Sequence, residues 1–273
     1  MSTLIFAQKN EPHASFATDD RIFLGEGLFE TLRVVNSKPC YPELHWQRLQ
    51  RSACFLNIPF DLSLEQWLEQ LKFCIAAKKL QDGCIKAILS GGSAPRGLLE
   101  KATESCLVFE AFKTSLSTHP LSLVSAPWRR DAKNPVYQLK SINYLEAIMA
   151  RRHALAEGAD DALFFNVDNQ VTETTVANIF MIYKNQLVTP SQHCGVLAGI
   201  IRQRLLALCN EEAISCVEGE LDKARLFAAD ALFVCNTLQG VRPVSSLDGY
   251  FFNSNHPLIK QLGQLLSSDK TEI

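Results

Sequence analysis

Residues 140–178, KSINYLEAIMARRHALAEGADDALFFNVDNQVTETTVAN, contain the most informative pattern in this chain. This stretch opens with Lys140 at the start of a predicted helix, in which apolar residues recur at helical spacing. Those residues, which share one side of the helix, are Leu145, Ile148, Met149 and Leu155. Gly158 marks the end of the helix, because glycine is favoured just after a helical C-terminus. The apolar residues 162–167 then predict a strand.

A turn and a carboxylate follow that strand. Asp168 and Asn169 are turn-forming residues between two apolar runs, so they predict a hairpin. Glu173 falls where the second strand of the hairpin begins. A carboxylate at such a position can be buried, and a buried charge requires a partner.

Lys140 can be interpreted as an ordinary surface lysine or, together with Glu173, as part of a catalytic site. Most lysines at helix ends are solvated surface residues. One known use of a lysine combined with a carboxylate is pyridoxal phosphate (PLP) chemistry. There the amine forms a Schiff base with the cofactor aldehyde, and the acid keeps the pyridine nitrogen protonated so that the ring accepts electrons.

Five segments of the chain resemble the class IV aminotransferases, also known as fold type IV PLP enzymes. In the family's order, they are residues 25–34 (GEGLFETLRV), 140–166, 171–180 (VTETTVANIF), 189–206 (TPSQHCGVLAGIIRQRLL) and 235–244 (CNTLQGVRPV). The likeness extends to about Gly249, and five motifs in one order are far more specific than any single motif. The resemblance implies that Lys140 carries PLP and that Glu173 faces the pyridine nitrogen.

The resemblance also implies a set of phosphate-binding groups. Residues 45–49, HWQRL, match the family's HxxRL pattern, whose arginine is Arg48 here. A guanidinium suits phosphate because its planar fork donates two parallel hydrogen bonds. Ile200 and Ile201 begin a predicted helix, where free backbone amides bind anions. The hydroxyl of Thr237 is expected to contact the phosphate as well. Many relatives have a threonine at the position of Ile201, and its hydroxyl contact is lost here.

Further cofactor and substrate contacts are implied at positions that match the family. Tyr144 is expected to contact the cofactor. Arg96, in a glycine-rich loop, and Asn236 are expected to contact the substrate. Thr174-Thr175 departs from the family, since many relatives have Gly-Thr or Gly-Ser there, and the bulkier pair is expected to narrow the pocket beside the cofactor ring.

Composition excludes several other classes of protein. The chain has 273 residues, of which 47% are hydrophobic and 21% charged, and a formal net charge of -2, so nothing favours nucleic acid or an anionic membrane as a partner. Nine scattered cysteines without a CxxC pair predict buried thiols in a reducing cytoplasm, with neither disulfides nor a metal site. The N-terminus predicts no signal peptide.

Strands and helices interleave in two halves, which predicts a mixed α/β or α+β fold. We predict an N-terminal α/β domain over residues 1–112, a polar linker over residues 113–120, and a C-terminal domain over residues 121–273 that carries Lys140. The resemblance implies the two-domain fold type IV architecture of D-amino-acid and branched-chain aminotransferases. It also implies a homodimer.

Two reactions and one non-catalytic role are compatible with these residues. The segment Asn-(Ser/Thr)-Leu-x-Gly-x-x-Pro-Val, found here from Asn236, is typical of the 4-amino-4-deoxychorismate lyase branch, which makes 4-aminobenzoate and pyruvate for folate synthesis. The alternative is a D-amino-acid or branched-chain transaminase on the same fold. An interaction module without catalysis would have no need of Lys140, Glu173 and Arg48 together.

Overall fold

The computed structural model describes residues 3–6, 20–95, 97–102, 104–114, 117 and 119–269. The strands are β1 Thr3–Phe6, β2 Gly27–Val35, β3 Lys38–Pro39, β4 Gly83–Ser90, β5 Cys106–Phe112, β6 Leu121–Arg130, β7 Asp161–Asn166, β8 Val171–Thr174, β9 Asn178–Tyr183, β10 Gln186–Pro190, β11 Cys216–Gly219, β12 Ala231–Asn236, β13 Gly240–Leu247 and β14 Tyr250–Phe251. The helices are α1 Pro42–Leu56, α2 Leu64–Lys78, α3 Leu145–Ala156, α4 Ile200–Glu211, α5 Lys223–Phe227 and α6 Pro257–Ser268.

The chain divides into two compact units. Within the described residues, the first unit contains those up to residue 114 together with Leu139–Asn143, and the second contains the rest up to residue 269. Leu139–Asn143 groups with the first unit because its backbone pairs with β2. The predicted boundary, which placed Lys140 in the C-terminal domain, differs from this grouping. The predicted linker, residues 113–120, falls partly outside the described residues.

The first unit is built on a five-stranded sheet with the strand order β1-β5-β4-β2-β3. Only β1 and β5 run parallel among these described pairs. Helix α1 begins at Pro42, which needs no N–H donor in the first turn. Leu49 and Ala53 of α1 are buried in the core, and Trp46 and Leu56 pack partly buried against it. Trp67 of α2 lies at the centre of that core, 5.3 Å from the Phe109 ring.

The second unit is built on a nine-stranded sheet. Eight strands follow the order β11-β10-β9-β12-β13-β6-β7-β8, β14 pairs with β13, and β8 also pairs with β9. The turn at Asp168-Asn169 forms as the sequence predicted, with Asn169 at a φ of 60°, but its second strand is β8, whereas the apolar run 179–183 that was expected to supply it lies in β9. Glu173 is the third residue of β8. The hairpin of β7 and β8 therefore fixes the position of the predicted acid.

Helix α3 turns its large apolar residues outward. Its fully buried positions are Ala150 and Ala154, which pack with Phe164 of β7. The residues of the predicted apolar stripe are exposed: Leu145 by 69%, Ile148 by 44%, Met149 by 50% and Leu155 by 63%. The periodicity located the helix, but the small alanines form the face that packs closely against the sheet.

Within the part of the chain that the structure describes, no helix combines the length and the apolar character needed to cross a membrane. All nine cysteines are free thiols, and six of them are buried.

Candidate active site

Lys140 lies against β2 of the first unit. The Phe29 N–H donates to the Lys140 carbonyl at 2.9 Å, and the Ile142 N–H donates to the Gly27 carbonyl at 3.0 Å. A Cβ at Gly27 would lie 2.9 Å from both the Ile142 side chain and the Leu89 carbonyl, so this close approach requires glycine. The Lys140 Nζ lies 4.3 Å from the centre of the Phe29 ring. The half-buried amine is therefore held on an aromatic face rather than extended into water.

A buried charge cluster lies behind the same strand. The guanidinium of Arg48 donates to both carboxylate oxygens of Glu30, from Nε at 2.7 Å and from one terminal nitrogen at 2.6 Å. The His45 Nδ1 lies 2.6 Å from the same carboxylate. All three side chains are buried. The predicted phosphate-binding arginine thus lies in the core, and its fork engages Glu30.

Electrostatics fix the protonation states in this cluster. Burial alone raises the pKa of Glu30, but the charges and hydrogen bonds of Arg48 and His45 outweigh it and lower that pKa to about 2. Burial lowers the pKa of His45 from its usual value, and the pull of Glu30 only partly opposes this shift. The positive charges of Arg48 and Lys140 lower the His45 pKa further. We therefore assign a neutral His45 that donates from Nδ1 to an ionised Glu30.

These contacts limit how Arg48 can reach a phosphate. Two of the five N–H donors of a guanidinium point at Glu30, so a phosphate contact has to use a different N–H of Arg48. The phosphate role of Arg48 stays a prediction.

Glu173 lies in the second unit and is largely buried, with 15% of its side chain exposed. One carboxylate oxygen lies 3.3 Å from a terminal nitrogen of Arg130. The other accepts from the Asn178 side-chain amide at 3.2 Å and from the Leu197 backbone N–H at 3.1 Å. The carboxylate therefore has the partners that a buried charge requires. They come from β6, from β9 and from the loop before α4.

Arg130, at the end of β6, is itself held on several sides. Its Nε and one terminal nitrogen each lie 2.9 Å from a Glu146 carboxylate oxygen. Its guanidinium carbon lies 3.5 Å from the centre of the Phe164 ring and 4.8 Å from that of Tyr137. Tyr137 and Trp128 also donate to Glu146. Arg130 therefore bridges two carboxylates from a fixed position.

The start of α4 lies close to Glu173. The Asn178 amide donates both to Glu173 and to the Leu197 carbonyl at 3.0 Å, two residues before the N-cap, Gly199. A Cβ at Gly199 would lie 2.0 Å from the Asn178 side-chain oxygen. Among the described residues, no side chain caps α4, and free amides in a first helical turn have the anion-binding character predicted from the sequence.

The remaining predicted contacts occupy turns and helix ends. Asn236 ends β12, where its side-chain oxygen accepts from the Gln239 N–H at 2.8 Å and its amide donates to the Val176 carbonyl at 3.4 Å. Thr237 is half-buried in the turn that follows. Tyr144 is the N-cap residue of α3. Arg96 lies outside the described residues.

Thr174 and Thr175 brace the turn after Glu173. The Thr174 hydroxyl lies 3.2 Å from both backbone polar atoms of Ala177, and the Thr175 hydroxyl donates to the buried Asp161 carboxylate at 2.5 Å. Arg151 pairs with Asp161 at 3.1 Å. The two hydroxyls therefore hold the turn after Glu173 in place.

Glu173, the start of α4 and Asn236 lie close together in the second unit. Lys140 and Arg48 both contact β2 in the first unit. Arg130, Glu30 and Asn178 were not among the predicted site residues. A signal was present, because Glu30 interrupts the apolar run of β2 and Arg130 ends the strand pattern of β6, and a charge in such a run requires a partner.

The family described as amino-transferase class IV matches residues 27–247, most of the chain. This chain belongs to the class IV aminotransferases. A solved structure from Legionella pneumophila, named "Putative 4-amino-4-deoxychorismate lyase", is 52% identical and superposes with a TM-score of 0.95 over 98% of this chain and 99% of its own. The predicted fold class is thereby confirmed.

Other class IV aminotransferases similar to this chain carry two kinds of name. A relative named "Putative branched-chain-amino-acid aminotransferase" from Methanocaldococcus jannaschii is 29% identical, covering 90% of this chain and 85% of its own length. A relative named "Aminodeoxychorismate lyase" from Vibrio harveyi is 27% identical, covering 86% and 89%. The family is PLP-dependent. Membership of this family is compatible with either lyase or transaminase chemistry.

Proposed function

We propose that this protein is a PLP-dependent 4-amino-4-deoxychorismate lyase that releases pyruvate and 4-aminobenzoate for folate biosynthesis. The observation that carries the proposal is the 52% identity, over nearly the whole chain, to a protein named for that activity. The Asn-Thr-Leu-x-Gly segment at the junction of β12 and β13 supports the same branch.

The described residues fit PLP. A half-buried lysine amine lies on the Phe29 ring, and a largely buried carboxylate is held in place by Arg130. The first turn of α4 is capped by no side chain of the described residues. These are the three groups needed for an amine attachment point, an acid at a ring nitrogen and an anion site. The cofactor would supply a conjugated ring that accepts the electrons of a broken C–H bond.

Lys140 would hold the cofactor until the substrate amine replaces it. The freed amine would then remove the hydrogen from the carbon that bears the substrate nitrogen. Glu173, held by Arg130, would keep a proton on the ring nitrogen, and the α4 amides would hold the phosphate through backbone N–H groups. Loss of enolpyruvate from the adjacent ring carbon leaves an aromatic product, which makes the reaction effectively irreversible.

A transaminase is the second candidate, and the 29% identical relative from Methanocaldococcus jannaschii favours it. Lys140 and Glu173 would act in the same way, because one scaffold hosts both reactions. A transaminase would in addition have to release one keto acid and admit another.

Turnover on aminodeoxychorismate, followed through 4-aminobenzoate fluorescence, tests the choice. The matched measurement is amino transfer from D-alanine, L-glutamate and branched-chain amino acids to a keto acid. We expect 4-aminobenzoate formation to exceed amino transfer. Efficient transfer without 4-aminobenzoate would replace the lyase with the transaminase.

We also propose a homodimer in the cytoplasm, where free thiols such as those of the nine cysteines persist. The support comes from α3, which exposes Leu145, Ile148, Met149 and Leu155 on its surface. A run of large exposed apolar side chains on one helix is typical of a protein contact surface. A second copy of this chain is the partner that the family resemblance implies.

A further inference from the structure

We propose that Arg130 is a positioning residue for Glu173: it fixes the orientation of that carboxylate toward the ring nitrogen of the cofactor and maintains its negative charge. The inference rests on the proposed use of PLP, and it assigns to Arg130 a role in tuning the electron sink.

The first observation is the direct contact. A terminal nitrogen of Arg130 lies 3.3 Å from one Glu173 oxygen, while Asn178 and Leu197 donate to the other. Donors on both oxygens restrict rotation of the carboxylate plane. A guanidinium beside a largely buried carboxylate also stabilises its charge, which is costly to bury unpaired.

The second observation is that Arg130 has no freedom to move away. Glu146 engages its Nε and a second nitrogen at 2.9 Å, and the Phe164 ring lies 3.5 Å from its guanidinium carbon. Only 6% of its side chain is exposed. The far edge of the guanidinium is anchored, so the nitrogen that faces Glu173 has a fixed position.

The third observation is the charge of this group. One guanidinium serves two carboxylates, so Glu146, Arg130 and Glu173 together carry one net negative charge. A protonated ring nitrogen would balance that charge. Without Arg130, two carboxylates would remain close together, which favours protonation of one of them. A protonated Glu173 would no longer attract a ring proton.

The test uses enzyme loaded with PLP labelled with ¹⁵N in the ring, whose NMR shift reports protonation of that nitrogen. In wild type we expect the protonated position, and in Arg130→Met a displacement toward the unprotonated one. The kcat should fall by about tenfold or more, the effect of losing a hydrogen bond to a charged group, with a smaller change in KM. Arg130→Lys keeps the charge without the fork and should restore part of the shift.

Arg129→Met is the matched control, because Arg129 contacts Asn169 and the Phe165 ring. It should leave the nitrogen shift unchanged. If Arg130→Met fails to fold, the double variant Arg130→Met/Glu146→Gln keeps the group at one net negative charge and removes only the contact that orients Glu173. It should show a smaller displacement of the nitrogen shift, with kcat still lowered.

A wild-type nitrogen shift and kcat in Arg130→Met, or in the double variant, would overturn the inference while leaving PLP on Lys140 intact. Wild-type protein that binds no PLP at all would instead overturn the proposed function, and this inference with it.

Discussion

The guanidinium of Arg48 contacts the carboxylate of Glu30 at two points, with N···O distances of 2.7 and 2.6 Å, inside the core of the first unit. This pair joins α1 to β2, the strand against which Lys140 lies. Breaking a buried pair by removing one partner leaves the other charge uncompensated. Arg48 therefore stabilises the fold in addition to its predicted contact with a phosphate.

Arg48→Ala separates these two roles. Without PLP, we expect the free energy of unfolding to fall by about 3 to 5 kcal/mol, the usual effect of breaking a buried pair. If Arg48 also contacts the phosphate, PLP retention should weaken by roughly 2 to 5 kcal/mol. Arg48→Lys should restore only part of the lost stability and PLP retention, because lysine lacks the planar fork of a guanidinium. Arg51→Ala, at an exposed position of the same helix, is the control for urea unfolding and PLP titration. Unchanged PLP affinity in folded Arg48→Ala would confine Arg48 to the structural role.

The same cluster predicts an acid-sensitive contribution to stability. The pKa of Glu30 is lowered from 4.5 to about 2, so the folded state favours the ionised form. A lowered carboxyl pKa adds stability that is fully present above pH 4.5 and is lost as the pH falls toward 2. In urea unfolding, the stability difference between wild type and Glu30→Gln should shrink over that interval. A difference that stays constant from pH 5 to 2.5 would contradict the assigned ionisation of Glu30.

Glu173→Gln should slow the reaction without releasing the cofactor. The amide is close in size and keeps one oxygen for Asn178 or Leu197, but it lacks the charge that holds a proton on the ring nitrogen. Loss of a preorganised charge of this kind costs about 10²-fold in kcat. Bound PLP per chain and kcat, measured together, check the prediction. Full activity in Glu173→Gln would show that the charge of Glu173 is not needed for the cofactor ring to accept electrons.

The exposed face of α3 predicts the assembly state. Ile148→Asp places a charge among Leu145, Met149 and Leu155 and should convert a dimer to monomer, since a charge at a buried apolar contact is costly. Light scattering after size-exclusion chromatography measures the mass directly. Lys260→Asp, an exposed position on α6, should leave the mass unchanged. A dimer that persists in Ile148→Asp would place the interface elsewhere.

Local patterns in the sequence predicted much of the fold. Pro42 and the apolar spacing after it predicted α1, and Asp168-Asn169 predicted the turn that positions Glu173, because both signals lie within a few residues of the structure they specify. The buried face of α3 could not be predicted in this way. Close packing selected Ala150 and Ala154 over the larger apolar residues of that helix.

Partners that are distant in sequence limited the prediction of the site. Arg130 lies 43 residues before Glu173, and Glu30 lies 18 residues before Arg48. The first pairing depends on the order of the strands in the sheet and the second on how α1 packs against β2, and no local pattern specifies either. The grouping of Lys140 with the first unit has the same origin, because backbone pairing with β2 decides it.

Borohydride reduction of the PLP-loaded protein, followed by mapping of the modified peptide, tests whether Lys140 carries the cofactor. Lys86 is the matched alternative, since its Nζ lies 4.9 Å from the centre of the same Phe29 ring that Lys140 contacts. We predict one reduced adduct per chain, on Lys140, which persists in Lys86→Ala and is lost in Lys140→Ala together with activity. An adduct on Lys86 or another lysine, or none after reconstitution with PLP, would contradict the account.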